Sequence, residues 1–317
     1  MSGYSMSRSL GSRSIGAALL ALLLVACGGE GAPPAEETAT ATATVAGSVS
    51  AVDAGGVTVT IEGRAERIVS HSPGATEILF AIGAGPQVVA VDDFSNYPPE
   101  TEALPKVTYA DPSAEQVLSH EPDLVILAEN QGGSVEQFRD LGLPVFFLRE
   151  PRDLDGVLEH IEVLGTLTGH EAEAATLVAD LRTRLDAVAA AIQDVPHGPR
   201  VFYELDDTLY TVGPDTFIGA ALSLVGAENI AAGAPSPFPQ LTAEAVVEGD
   251  PEVILLADAA FGVTPEAVAA RPGWSDTSAV RDGRIYPVDP DVMSRPGPRI
   301  VDGIEMLAAL LYPDRFE

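Results

Sequence analysis

The chain has 317 residues, 17 of them Lys or Arg and 47 Asp or Glu, for a net charge of −30. A surface this acidic repels nucleic acid and anionic lipid headgroups, so nucleic acid is not expected as a partner. Cys27 is the only cysteine, which excludes a disulfide within the chain and argues against a cysteine metal site.

Residues 1–27 read as an export signal. Arg8 and Arg13 supply positive charge, and the apolar run 15–26 is short for a bilayer span. The run closes on Leu24-Val25-Ala26-Cys27, a match to the lipobox of bacterial lipoproteins. That pattern implies cleavage before Cys27 and a lipid anchor on its sulfur, with the rest of the chain outside the cytoplasmic membrane. Residues 28–54 begin with a Gly, Ala, Pro, Glu and Thr stretch that can bury no core, so a disordered tether is expected.

Alternation over 57–61, after Gly55-Gly56, predicts a short hairpin strand. Apolar runs then recur at 68–70, 88–91, 124–127 and 145–148, and again at 201–203, 253–256 and 285–288. Separated by helical patterns, they predict buried parallel strands in α/β layers. Residues 115–129 (EQVLSHEPDLVILAE) and 244–258 (EAVVEGDPEVILLAD) repeat one unit: helix, Pro-acid turn, buried strand. Between the copies, Leu177, Leu181, Leu185, Val188 and Ile192 form one helical stripe in 171–194. That spacing predicts a stiff helix of about 24 residues, roughly 36 Å long. The expected fold is therefore α/β, two Rossmann-like lobes joined by one long helix, with a ligand cleft between them. The lobes are expected at 55–150 and 199–317, with a connecting helical segment at 151–198.

Four motifs carry a family resemblance over roughly 55–314. They are Arg67-Ile68-Val69-Ser70-His71-Ser72-Pro73 with Thr76-Glu77, then Ser95-Asn96-Tyr97-Pro98-Pro99, Pro237-Phe238-Pro239-Gln240, and Ser294-Arg295-Pro296-Gly297-Pro298-Arg299. The chain resembles the class III, helical-backbone metal-receptor family of periplasmic binding proteins, which take vitamin B12, ferric siderophores or haem. The resemblance implies a binding protein of an ABC importer, with a permease dimer and its ATPase as partners and no enzymatic activity. It points first to cobalamin, then to a ferric siderophore or haem, as ligand and not as resident cofactor.

By resemblance to the B12-binding members, Phe94, Tyr97, Tyr109 and Phe238 fall in ligand-facing loops, and Asp291 and Arg295 at the polar rim of the corrinoid. The chain departs from those members at Ala128, where they carry tryptophan. From the residues alone, the aromatics can equally pack loops, and Asp291–Arg295 can be a surface ion pair. Glu115 and Glu244 open the two repeat copies behind Ser113 and Thr242, and each can simply favour its helix dipole. The family implies more: one docking glutamate per lobe for the two permease subunits. His71 follows the first strand and either lines the cleft or ligates a metal. Tyr203 either contacts ligand or packs its sheet.

His120, His160, His170 and His197 are scattered, with no metal-site spacing. No nucleophile elbow, P-loop or dinucleotide glycine motif is present. The acid pairs Asp92-Asp93 and Asp206-Asp207 at strand ends are the only trace of acid–base chemistry.

Overall fold

The structure, a computed structural model, describes residues 47–316. The export signal, Cys27 and most of the expected tether lie outside that range.

The described chain opens with an antiparallel hairpin of β1 (Val49–Val52) and β2 (Thr58–Ile61). Asp53 organises its turn by accepting from the Gly55 and Val57 amides at 2.8 and 3.0 Å. Strand β1 corrects the expected tether, which ran to residue 54. Its strand character comes from pairing with β2, not from its own sequence.

The first lobe holds β3 (Ile68–His71), α1 (Pro73–Ala81), β4 (Val88–Asp92), β5 (Lys106–Val107), α2 (Ala114–Leu118), β6 (Leu124–Leu127), α3 (Ser134–Asp140) and β7 (Val145–Phe147). Its sheet is parallel, in the order β5-β4-β3-β6-β7. The chain runs outward from β3 in both directions, so the crevice at its carboxyl end is a topological switch point. Two helices follow, α4 (Leu154–Thr168) and α5 (Glu171–Ile192). The second lobe holds β8 (Arg200–Glu204), α6 (Phe217–Leu224), β9 (Glu228–Asn229), α7 (Ala243–Gly249), β10 (Val253–Leu256), α8 (Pro265–Ala269), α9 (Ser278–Asp282), β11 (Ile285–Pro287), α10 (Pro290–Met293) and α11 (Ile300–Leu311). Its parallel sheet, β11-β10-β8-β9, switches direction at β8 in the same way.

The expected connecting helix is α5, and a second helix, α4, precedes it in the connecting segment. Gly169, at φ 72°, ends α4 in a left-handed cap, and α5 starts two residues later. Helix α5 has 22 residues and ends at Ile192. It buries Leu181, Leu185, Val188 and Ile192 as the periodicity requires, while Leu177 stays partly exposed. It packs on α4 and on α11 of the second lobe, and α4 in turn packs on α1 of the first lobe and α6 of the second.

One continuous core runs through the lobes. Ile68, Ile78 and Leu124 of the first join Val201, Phe217 and Ile304 of the second, through residues of α4 and α5. Satellite cores lie on the other face of each sheet, one around Phe138 and one around Trp274. Strands β6, β7 and β10 are buried along their whole length. That explains why they read as unbroken apolar runs.

Candidate ligand-binding site

A cavity of about 200 Å³ opens between the lobes. Its first-lobe wall comes from residues just past strand ends: Ser72 after β3, Tyr109 after β5, Glu129 after β6 and Glu150 after β7. The second lobe adds Ser294, Arg295 and Pro296, and α4 adds His160.

Sequence-level candidates meet on the first-lobe side. The His71 ring stacks on Tyr109 at 5.1 Å, and Phe94 meets Tyr109 edge-on at 5.3 Å. The loop bearing Phe94 is fixed from below by Asp92. This buried carboxylate accepts from the Phe94 and Ser95 amides at 2.9 and 3.1 Å and from the Ser95 hydroxyl at 2.5 Å. Burial raises the Asp92 pKa against those hydrogen bonds, which pull it down. Asp93 accepts from the Tyr109 amide at 3.0 Å, and Asp206 caps its own turn through Thr208. Three of the four paired acids therefore hold loops.

His71 is buried, with Nε2 3.1 Å from the Thr108 carbonyl. That contact ties up one of its nitrogens, and the ring backs Tyr109 rather than lining the cavity itself. Tyr109 donates its hydroxyl to Glu129 at 2.8 Å, and burial together with that carboxylate raises its pKa. Glu150 is open to the cleft yet enclosed by its walls. Desolvation, with repulsion from Glu129, raises its pKa. Burial alone pushes the His160 imidazole down to about 4, so the ring is neutral at pH 7.

Asp291 and Arg295 come together, but at the edge of the cavity and mostly engaged by protein. Arg295 is 9% exposed. It donates to Asp291 Oδ1 at 2.6 Å, Asn96 Oδ1 at 2.7 Å and the Phe94 carbonyl at 3.1 Å, and reaches Glu77 at 3.4 Å. Asp291 Oδ2 in turn accepts from Asn96 at 2.8 Å. Arg295 thus lines the cavity and, with Asp291, also fastens the lobes together. Gly74 serves the same junction, since a Cβ there would sit 2.9 Å from the Pro296 carbonyl.

Three other candidates fall elsewhere. Tyr203 is fully buried in the core, with its hydroxyl 3.4 Å from Ser294, so it lies behind the wall and not on it. Tyr97 lies under the Arg299 guanidinium, 3.9 Å from the ring centre. Phe238 lines a second groove of about 200 Å³ with Arg149, Arg152, Asp215 and Thr216, which meets the cavity at Glu150. Glu115 and Glu244 are exposed and occupy the same place, second residue of α2 and α7. Ser113 and Thr242 cap those helices at 3.3 and 3.2 Å.

Sequence reasoning missed Glu129, Glu150 and His160. Glu129 was within reach, because it ends the first repeat copy just past a strand. Glu150 follows β7 in the same way. His160 carries no local signal, because only the packing of α4 brings it to the cavity.

Comparison with known proteins supports the two-lobed reading. The family model described as "Periplasmic binding protein" matches residues 68–292. An uncharacterized ABC transporter substrate-binding lipoprotein of Bacillus subtilis is 35% identical over 84% of this chain and 86% of its own length. A cobalamin-binding protein of Halobacterium salinarum is 34% identical over 91% of this chain and 81% of its own. The structure of a periplasmic heme-binding protein from Roseiflexus superposes with a TM-score of 0.71 at 30% identity, covering 80% of this chain and 99% of that one.

Proposed function

The chain belongs to the periplasmic binding protein family, and on that premise we propose that it captures a corrinoid outside the cytoplasmic membrane and delivers it to an ABC permease. The carrying observation is the wall of strand-end residues with Tyr109 at its centre, flanked by His71 and Phe94 and continued at Glu150 into the groove of Phe238. Rigid aromatic faces with a few polar anchors suit a broad, largely apolar macrocycle with an amide rim. The likeness to the cobalamin-binding protein of Halobacterium salinarum points the same way.

In this reading Cys27 carries the lipid anchor. Glu115 and Glu244, matched on the two lobes, dock the loaded protein on the two permease subunits, and separate ATPases drive import. The protein turns over no substrate.

Haem is the second reading, and His160 favours it. Its neutral imidazole lines the cavity with no hydrogen-bond partner among the described residues, which leaves it able to ligate iron. Titration with cyanocobalamin, haemin and ferric siderophores, followed by calorimetry and visible spectra, tests the choice. Stoichiometric binding of cyanocobalamin supports the corrinoid reading. A haemin Soret shift abolished by His160→Ala, with no cobalamin binding, replaces it.

A further inference from the structure

We propose that the groove beside Phe238 is a nucleotide subsite: Arg149 and Arg152 hold the phosphodiester of the corrinoid's nucleotide loop, and the Phe238 ring stacks on its base. The proposal rests on the corrinoid reading and extends it from the macrocycle to the loop beneath.

Cations are scarce here, with 17 against 47 acids, and most arginines near acids are used by them. Arg139 pairs with Asp53, Arg184 with Asp302 and Glu305, Arg200 with Asp250 and Glu252, and Arg271 with Glu204. In the groove, neither Arg149 nor Arg152 has a carboxylate oxygen within 4.0 Å among the described residues, although Glu150 lies between them in sequence. Arg149 is held in place by one bond to the Ala54 carbonyl at 3.2 Å and by the Phe147 ring at 5.4 Å. Its other N–H groups stay available. Arg152 makes no side-chain hydrogen bond to the described residues.

The rest of the lining matches the other parts of a nucleotide. Phe238 is partly exposed and offers a ring to a planar base. Glu150 and Asp215 line the same groove and can accept from ribose hydroxyls. Thr216 caps α6 there, and the start of that helix adds positive partial charge to the two guanidiniums. A lining of two guanidiniums, two carboxylates and an aromatic ring fits a ligand with one phosphate, free hydroxyls and a base better than a bare macrocycle.

Cyanocobalamin and dicyanocobinamide separate these parts, because cobinamide lacks the nucleotide loop. Calorimetric affinities for both would be measured with the purified full chain, with Arg149→Ala, Arg152→Ala and the double variant, and with unfolding midpoints as a check on folding. The double variant is expected to bind cobalamin about 10- to 100-fold more weakly, as lost charge-assisted hydrogen bonds would give. Cobinamide affinity should stay within roughly twofold, since a removed group cannot be missed. Equal weakening of both ligands, or undiminished cobalamin binding, overturns the subsite while leaving the corrinoid reading in place. A wild-type chain that binds neither ligand overturns both.

Discussion

Glu77 of the first lobe and Arg295 of the second, 218 residues apart, share a buried contact of 3.4 Å. Arg299 closes on the same carboxylate at 2.6 and 3.0 Å. A side chain only 2% exposed thus faces two arginines at the lobe junction, balancing Arg299 while Asp291 balances Arg295. Removing Glu77 strands Arg299, which has no other carboxylate partner among the described residues, while Arg295 keeps Asp291. Glu77→Ala should cost about 3–5 kcal/mol, read from chemical denaturation. A loss below about 1 kcal/mol would show that the junction does not depend on this acid.

The same junction predicts little closure on loading. The lobes share one core, α4 packs on helices of both, and Arg295 ties the loop of Phe94 to that of Asp291. X-ray scattering with and without ligand should give the same radius of gyration within error. A clear compaction would mean that the junction opens.

Two groups should set opposite pH dependences of stability. Burial and the adjacent Glu204 carboxylate raise Asp258 from 3.8 to about 7. The folded state then keeps a proton that the unfolded chain has released. Its contribution is full below pH 3.8 and is lost as pH rises to 7, by roughly 4 kcal/mol at most. His160 runs the other way, from 6.5 down to about 4 through burial. Its contribution is full above pH 6.5 and is lost as pH falls toward 4, by roughly 3 kcal/mol. Urea midpoints across pH 4–8 should lose the alkaline fall in Asp258→Asn and the acid fall in His160→Gln. Unchanged profiles would contradict these assignments.

Glu115 and Glu244 give a separable test. The double alanine variant should bind ligand as the wild type does and fail to support uptake in cells or proteoliposomes. Each carboxylate is solvated, so stability should change by only a few tenths of a kcal/mol through the helix dipole. Retained uptake would leave the two acids with no role beyond their helices.

How much of this was legible in the sequence depended on the range of the interaction. The apolar runs at 124–127, 145–147 and 253–256 are strands because burial on both faces writes itself locally. The repeat located Glu115 and Glu244 because both follow a cap that is itself local. Strand β1 was hidden, since its partner β2 makes it a strand. Tyr203 was ambiguous because a strand buried on both faces gives no sign of which side meets ligand. Nothing near Arg295 in sequence reveals its contact with Glu77, and His160 reaches the cavity only through the placement of α4.

Calorimetric titration of the purified chain with cyanocobalamin is the most direct test of the central claim. Saturable one-to-one binding is expected, weakened by Tyr109→Ala and Phe238→Ala. Absence of cobalamin binding, with tight uptake of haemin or a ferric siderophore, would contradict it.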